Sequence, residues 1–218
     1  MDYQEIKRNA EVLAYLQKGN QNLGILGYTD HSAAHCAMVA ERAAYVLRKL
    51  DYTEHAVELA KTAGFLHDIG NVINRSRHAE YGALLANEIL KKTDMPLEDR
   101  VTVVSAIGNH DESTGGAVDA VSAALIIADK TDVRRNRVRN KEMAAFDIHD
   151  RVNYAVTGAK LKVSKEKETI TLNLQIDETI CTMYEYFEIF LGRMMMCRGA
   201  AEILGARFKL TANGSKVL

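Results

Sequence analysis

The sequence predicts a mainly α fold with a small C-terminal α+β unit of order β-β-α-β. Three observations predict it. Apolar residues recur with a period near 3.6 through roughly the first 150 of 218 residues. The period switches to two over residues 160–176 and returns to helical spacing over residues 180–204. The chain holds a single Pro and is rich in Ala, Leu, Glu and Lys, which favours helix over the interruptions Pro imposes.

Taken in order, residues 3–18 carry Ile6, Ala10, Leu13 and Leu16 on one face, which predicts the first helix. Thr29 and Asp30 are candidate caps for a helix over residues 31–50, with Val39, Ala43, Val46, Leu47 and Leu50 as its apolar face. Thr53 suits the cap of the next helix, which carries Val57, Ala60, Gly64 and Phe65 toward His67 and Asp68. Gly70 suits its exit. Residues 79–92 form another amphipathic helix, and Pro96 is placed to start the one that runs toward His110. Residues 113–116 read as a loop. Residues 118–131 are strongly apolar and read as a buried helix that delivers Asp129.

Beyond residue 159, Leu161 and Val163, then Ile170, Leu172, Leu174 and Ile176, alternate across a charged turn at residues 164–168 and predict a hairpin. A helix over residues 180–204 presents Met183, Phe187, Phe190, Met194 and Ala201 on one face, Gly205 ends it, and residues 207–210 suit a third strand. Such a unit is too small to be stable alone. It is expected to pack on the helical part or to form a homodimer with a second copy, with Met194, Met195 and Met196 as core or interface packing.

Composition narrows the function classes. Lys+Arg total 28 against 29 Asp+Glu, so charge gives no reason to expect a nucleic-acid or membrane partner. No apolar run approaches the ~20 residues of a bilayer span, and the N-terminus lacks a secretory pattern. The three cysteines, Cys36, Cys181 and Cys197, form no CxxC pair and read as free thiols of a reducing cytoplasm.

Four histidines, His35, His67, His78 and His110, stand on separate helices or at their ends. Asp68 follows His67 directly, and Asp129 closes the apolar run 123–128, where a carboxylate is costly unless a cation or hydrogen bonds meet it. Imidazole and carboxylate together suit first-row metals. Each residue alone also has a plainer reading: His67-Asp68 as a charged helix end, Asp129 as a satisfied core carboxylate. Their spacing fits no short motif such as HExxH.

Five ordered segments add weight. The segment His35-Cys36-Ala37-Met38-Val39-Ala40 resembles the opening HxxxVA signature of the HD superfamily of metal-dependent phosphohydrolases. Phe65-Leu66-His67-Asp68-Ile69-Gly70 resembles its defining LHDIG step, and Arg77-His78-Ala79-Glu80-Tyr81-Gly82-Ala83 resembles the next histidine step of the two-metal branch. Ala106-Ile107-Gly108-Asn109-His110 and Ile126-Ile127-Ala128-Asp129-Lys130 are similar to the last two.

The resemblance covers roughly the first 135 residues and implies an HD-type helical metal-binding domain, placed over residues 1–155; the α+β unit over 156–218 lies outside the resemblance and is expected to serve packing or dimerisation. It implies that His35, His67, Asp68 and Asp129 hold one metal, and that Asp68 bridges to a second completed by His78 and His110. The cofactors would be two divalent or mixed-valent ions, Fe or Mn. The reaction would be hydrolysis of a small phosphoester, by class a nucleotide, through a metal-bridging hydroxide centred on Asp68 and His67. The same ligand set also supports an HD-type diiron oxygenase, and a non-catalytic nucleotide-sensing module is a third reading.

This chain departs from the pattern in places. Asn71 stands where many relatives carry a Lys, so Arg75, Arg77 and Lys130 become candidate phosphate contacts, or plain surface charges. His31, one turn before His35, is a candidate extra ligand or substrate contact. The GYP loop of cyclic-dinucleotide hydrolases is absent after His110. Asp111 and Glu112 stand there as candidate proton carriers, as groups that orient His110 from behind, or as loop charges. The basic run Arg134, Arg135, Arg137, Arg139 and Lys141 is either a steering patch or a solvated face, and His55 and His149 read as surface.

Overall fold

A short helix, α1 (Tyr3–Arg8), opens the computed structural model, which describes residues 3–139 and 148–217. The single helix expected over residues 3–18 breaks at Asn9. The Asn9 side chain accepts from the amides of Glu11 and Val12, which starts α2 (Ala10–Ile25) afresh. An Asn oxygen competes with the helical ladder for nearby amides, and periodicity does not register that competition. α3 (Ala33–Lys49) begins later than expected, with Ser32 at its N-cap in place of Thr29 or Asp30. The Asp30 carboxylate instead accepts from the Ser32 hydroxyl, 2.7 Å away.

Thr53 caps α4 (Glu54–Leu66) as expected, through the amide of Ala56. His67 and Asp68 follow, then two 3-10 turns, Ile69–Val72 and Arg75–Arg77, lead into α5 (His78–Leu90). Gly70 is not a helix exit. It sits inside the first 3-10 turn and outside the left-handed region. A Cβ there would lie 2.0 Å from the His78 carbonyl oxygen and 2.4 Å from the Gly82 nitrogen. Glycine is required by the close approach of this turn to α5.

Pro96 precedes α6 (Leu97–Gly108), and a reciprocal Asp119–Ser122 capping box starts α7 (Ala120–Lys130). Residues 121–128 of α7 are all buried. α3, α4 and α6 pack on α7, and so does α9 (Met183–Ile203). Each of Leu125, Ile126 and Ile127 contributes about 1.5–3 kcal/mol by leaving water. α8 (Ile148–Ala155) leads into the sheet.

The hairpin expected over residues 160–176 is longer: β1 (Val156–Ser164) pairs antiparallel with β2 (Thr169–Ile176), Leu161 opposite Leu172. α9 crosses over to β3 (Arg207–Ala212), which lies parallel to β2. A two-residue strand not expected from the sequence, β4 (Ser215–Lys216), completes the order β1-β2-β3-β4. Gly205, at φ 68°, ends α9 as expected. Tyr186, Phe190, Met194, Cys197, Ala200 and Ala201 of α9 are buried in one continuous apolar cluster with the helical part. Tyr184, Leu191 and Met195 remain exposed.

The described arginines of the basic run are hydrogen-bonded to neighbouring segments, Arg137 in the interior and Arg139 at the surface. Arg137 is buried and donates to the carbonyls of Asp30 and Asp132, at 2.9 and 3.1 Å. Arg139 donates to the carbonyls of Tyr28 and Asn20. Arg134 pairs with Asp132, and Arg135 with the Tyr154 carbonyl. These arginines tie the segment after α7 to the loop between α2 and α3 and to α8. Lys141 lies outside the described residues.

Candidate metal centre

Six side chains converge from five helices. α3 supplies His35 from its first turn, His67 and Asp68 follow the end of α4, and His78 opens α5. His110 follows α6, and Asp129 stands one residue from the end of α7. The four histidines and Asp68 are buried.

Each histidine is held by its Nδ1 nitrogen. His67 Nδ1 donates to the Gly64 carbonyl (2.8 Å), His78 to Arg75 (3.0 Å) and His110 to Ile107 (2.6 Å), each three residues back. Those carbonyls belong to helix ends or tight turns, which leave oxygens without amide partners. His35 Nδ1 bonds Asp132 Oδ2 instead, at 2.8 Å. In all four the anchored Nδ1 leaves Nε2 for the centre, the arrangement common to metal-ligating histidines.

The Nε2 atoms gather around two carboxylates. His67 Nε2 lies 3.2 Å from Asp68 Oδ2 and 3.7 Å from Asp129 Oδ1; His35 Nε2 lies 3.7 and 3.5 Å from the same atoms. On the other side of Asp68, His78 Nε2 is 3.8 Å from Oδ1 and 3.2 Å from His110 Nε2. The sets His35, His67, Asp129 and Asp68, His78, His110 each bring ligand atoms within 4.8 Å of one another. A third set, Cys36, His67 and Asp68, meets the same limit. Burial pushes the Cys36 thiol well up, which disfavours the thiolate a metal needs.

Two buried polar atoms here, His35 Nε2 and Asp68 Oδ2, have no hydrogen-bond partner. Each such atom costs about 1–3 kcal/mol unless a ligand satisfies it. Electrostatics agree with a cation. Burial opposes ionisation of Asp68, but His67, His31 and His78 outweigh it and hold the carboxyl well below its usual range. Burial likewise opposes protonation of His67, yet Asp68 and Asp129 raise it to about 10. Burial and neighbouring positive charge push His110 and His78 down. The donor set is that of a divalent-cation site, and a cation would take the place of the proton on His67.

Around the centre, Asn71 is not an empty replacement for the expected Lys. Its side-chain amide donates to Asp68 Oδ1 at 2.7 Å, and Arg75 donates to Asn71 Oδ1 at 3.3 Å. Lys130 Nζ is buried between Asp129 Oδ2 (2.8 Å) and Glu112 Oε2 (2.7 Å). Asp111 Oδ2 stands 3.7 Å from His78 Nδ1. His31 Nδ1 bonds the Thr29 carbonyl at 2.8 Å, its ring 5.7 Å from that of His35. Arg77 is exposed and is not among the cavity-lining residues. His55 lies at the surface, its Nε2 2.8 Å from Asp99, and the side chain of His149 lies outside the described residues.

A cavity of about 370 Å³ opens onto the centre. Asp68, His78, Asp129, His31, Arg75 and Lys130 reach it, with Leu26 and Tyr28. So do Asn153 of α8 and Arg193 of α9, which the sequence did not mark. Asp132 was also missed; it lies three residues past Asp129 in no recognisable pattern, and only the fold brings it to His35. We expect Asp132→Asn to lower metal affinity about 10–100-fold with the fold retained, because His35 loses a charged orienting partner. Competition with a chelating dye measures it.

The bundle and its buried His/Asp cluster define a helical protein with a centre able to hold metal. The sequence profile of the HD domain matches residues 33–154, and the chain belongs to the HD superfamily of metal-dependent phosphohydrolases. It is 27% identical to a protein of Methanocaldococcus jannaschii described as uncharacterized, over 96% of this chain and 83% of that one. Among the described residues no helix is long and apolar enough to cross a membrane.

Proposed function

We propose that this chain is a two-metal phosphohydrolase acting on a small phosphoester, by class a nucleotide. The observation that carries the reading is Asp68. Its Oδ2 faces His35 and His67, and its Oδ1 faces His78, so one carboxylate stands between two ligand sets. His35, His67, Asp68 and Asp129 would hold one cation, and Asp68, His78 and His110 the other.

Two bound cations would supply a water of lowered pKa and take up charge on the phosphoryl oxygens. The protein does the rest. Nδ1 anchors keep each imidazole in one tautomer and orientation. Asn71 fixes the carboxylate plane of Asp68. Arg75 and Lys130 face the cavity as partners for phosphoryl oxygens, and Leu26 and Tyr28 offer apolar surface for a base.

The test is metal analysis of anaerobically purified protein followed by a phosphoester panel on the same sample. We expect about two equivalents of Fe or Mn per chain and metal-dependent phosphate release. A diiron signal with O₂ consumption and no phosphate release would overturn the proposal in favour of an oxygenase. Nucleotide binding without turnover across several metals would favour a sensor.

A further inference from the structure

Arg193 belongs to α9, beyond the matched domain, yet it lines the same cavity as Asp68, His78 and Asp129. Its position is built. The guanidinium lies over the Phe190 ring, 4.6 Å from its centroid, and Nε donates to Glu112 Oε1 at 3.0 Å. Glu112 Oε2 in turn pairs with Lys130, which pairs with Asp129.

Within this chain of contacts two cations, Arg193 and Lys130, meet two carboxylates, Glu112 and Asp129. Glu112 is one carboxylate shared by two cations, and Asp129 is committed to the centre. With Asp129 given to a metal, one positive charge of this chain is left over, facing a cavity that Arg75, Arg137 and Asp150 also line. A guanidinium carries five N–H donors, and the Glu112 bond occupies only its Nε. The terminal nitrogens remain for a planar, bidentate acceptor such as a phosphate.

Resting on the phosphohydrolase reading, we propose that Arg193 is an anion-binding residue of the active-site cavity and that the substrate carries more than one phosphate. The metals would take the phosphoryl group that reacts. Arg193, with Lys130 beside it, takes a further phosphate, so the C-terminal unit contributes to specificity as well as to packing.

The test uses the full-length, Mn-loaded protein with inorganic phosphate and tripolyphosphate as probes in titration calorimetry. We expect Arg193→Ala to weaken tripolyphosphate about tenfold or more, to change phosphate far less, and to leave metal content unaltered. Arg193→Lys restores part of the loss. Glu112→Gln should act in the opposite direction and tighten tripolyphosphate, since it releases both cations. If Arg193 were only a structural tie to Glu112, the two variants would weaken binding alike, and that outcome overturns the proposal. Unchanged tripolyphosphate affinity in Arg193→Ala overturns it while the hydrolase reading stands. An equal loss for both probes overturns the polyphosphate substrate. A Mn-loaded wild type that binds neither probe overturns this inference and the phosphohydrolase reading together.

Discussion

Asp68→Ala is expected to remove one metal, weaken the other and abolish turnover while the helical fold persists. Among the described residues no other offers oxygens to both ligand sets: Oδ2 faces His35 and His67, and Oδ1 faces His78. Alanine leaves one set with His35, His67 and Asp129, and the other with two histidines and no carboxylate. The second metal should be lost outright. The first keeps a weakened site, and turnover should fall at least about 1000-fold, since the cations would supply both the activated water and the charge stabilisation. Folding should be spared because the centre is a cost in the metal-free chain. Asp68 Oδ2 is already without a hydrogen bond, and the Asn71 amide, which loses Oδ1, keeps the Asp68 backbone carbonyl at 3.0 Å. Metal analysis, phosphate release and far-ultraviolet circular dichroism on one preparation decide the matter. Full metal content in the variant would sink the bridging role of Asp68.

The parts of this centre that were legible in the sequence share a physical cause. A ligand at a helix end stands beside a change in pattern, as where the apolar run of α7 meets Asp129 or where α4 closes on His67 and Asp68. The buried helix α7 announced itself because residues 121–128 must exclude water, and only apolar side chains do so cheaply. What was not legible depends on distance in space. Asp132 matters because His35, from a helix far earlier in the chain, turns its Nδ1 to it. Arg193 reads as one charge among several on a helix that also carries Glu185, Glu188, Arg198 and Glu202, until α9 packs on α7 and brings it to Glu112. Asn9 and Ser32 shifted helix starts through single side-chain or cap preferences that a periodic pattern averages away. β4, at two residues, is too short for alternation to register.

Gly70→Ala is expected to damage the centre without touching a ligand. At a helix exit alanine would be mildly unfavourable, but the geometry at Gly70 sets a harsher condition. A Cβ would meet the His78 carbonyl oxygen at 2.0 Å, the Gly82 nitrogen at 2.4 Å and the His78 carbonyl carbon at 2.9 Å. All three are backbone atoms, so no side chain can rotate aside; the 3-10 turn and α5 must separate. That separation should cost about 3 kcal/mol or more, the upper range for overpacking. For a chain of this size it corresponds to a fall in Tm of roughly 6–12 °C. The contact also joins the two ligand sets, because Asp68 sits two residues before Gly70 and the clashing carbonyl belongs to His78. Moving the turn off α5 therefore lengthens the Asp68–His78 separation, now 3.8 Å between Oδ1 and Nε2. The second metal should be lost first, with the first retained by His35, His67, Asp68 and Asp129. Calorimetric melting with metal analysis reads both effects. A Gly70→Ala protein that melts at the wild-type temperature with both metals bound would show that the turn yields without opening the centre.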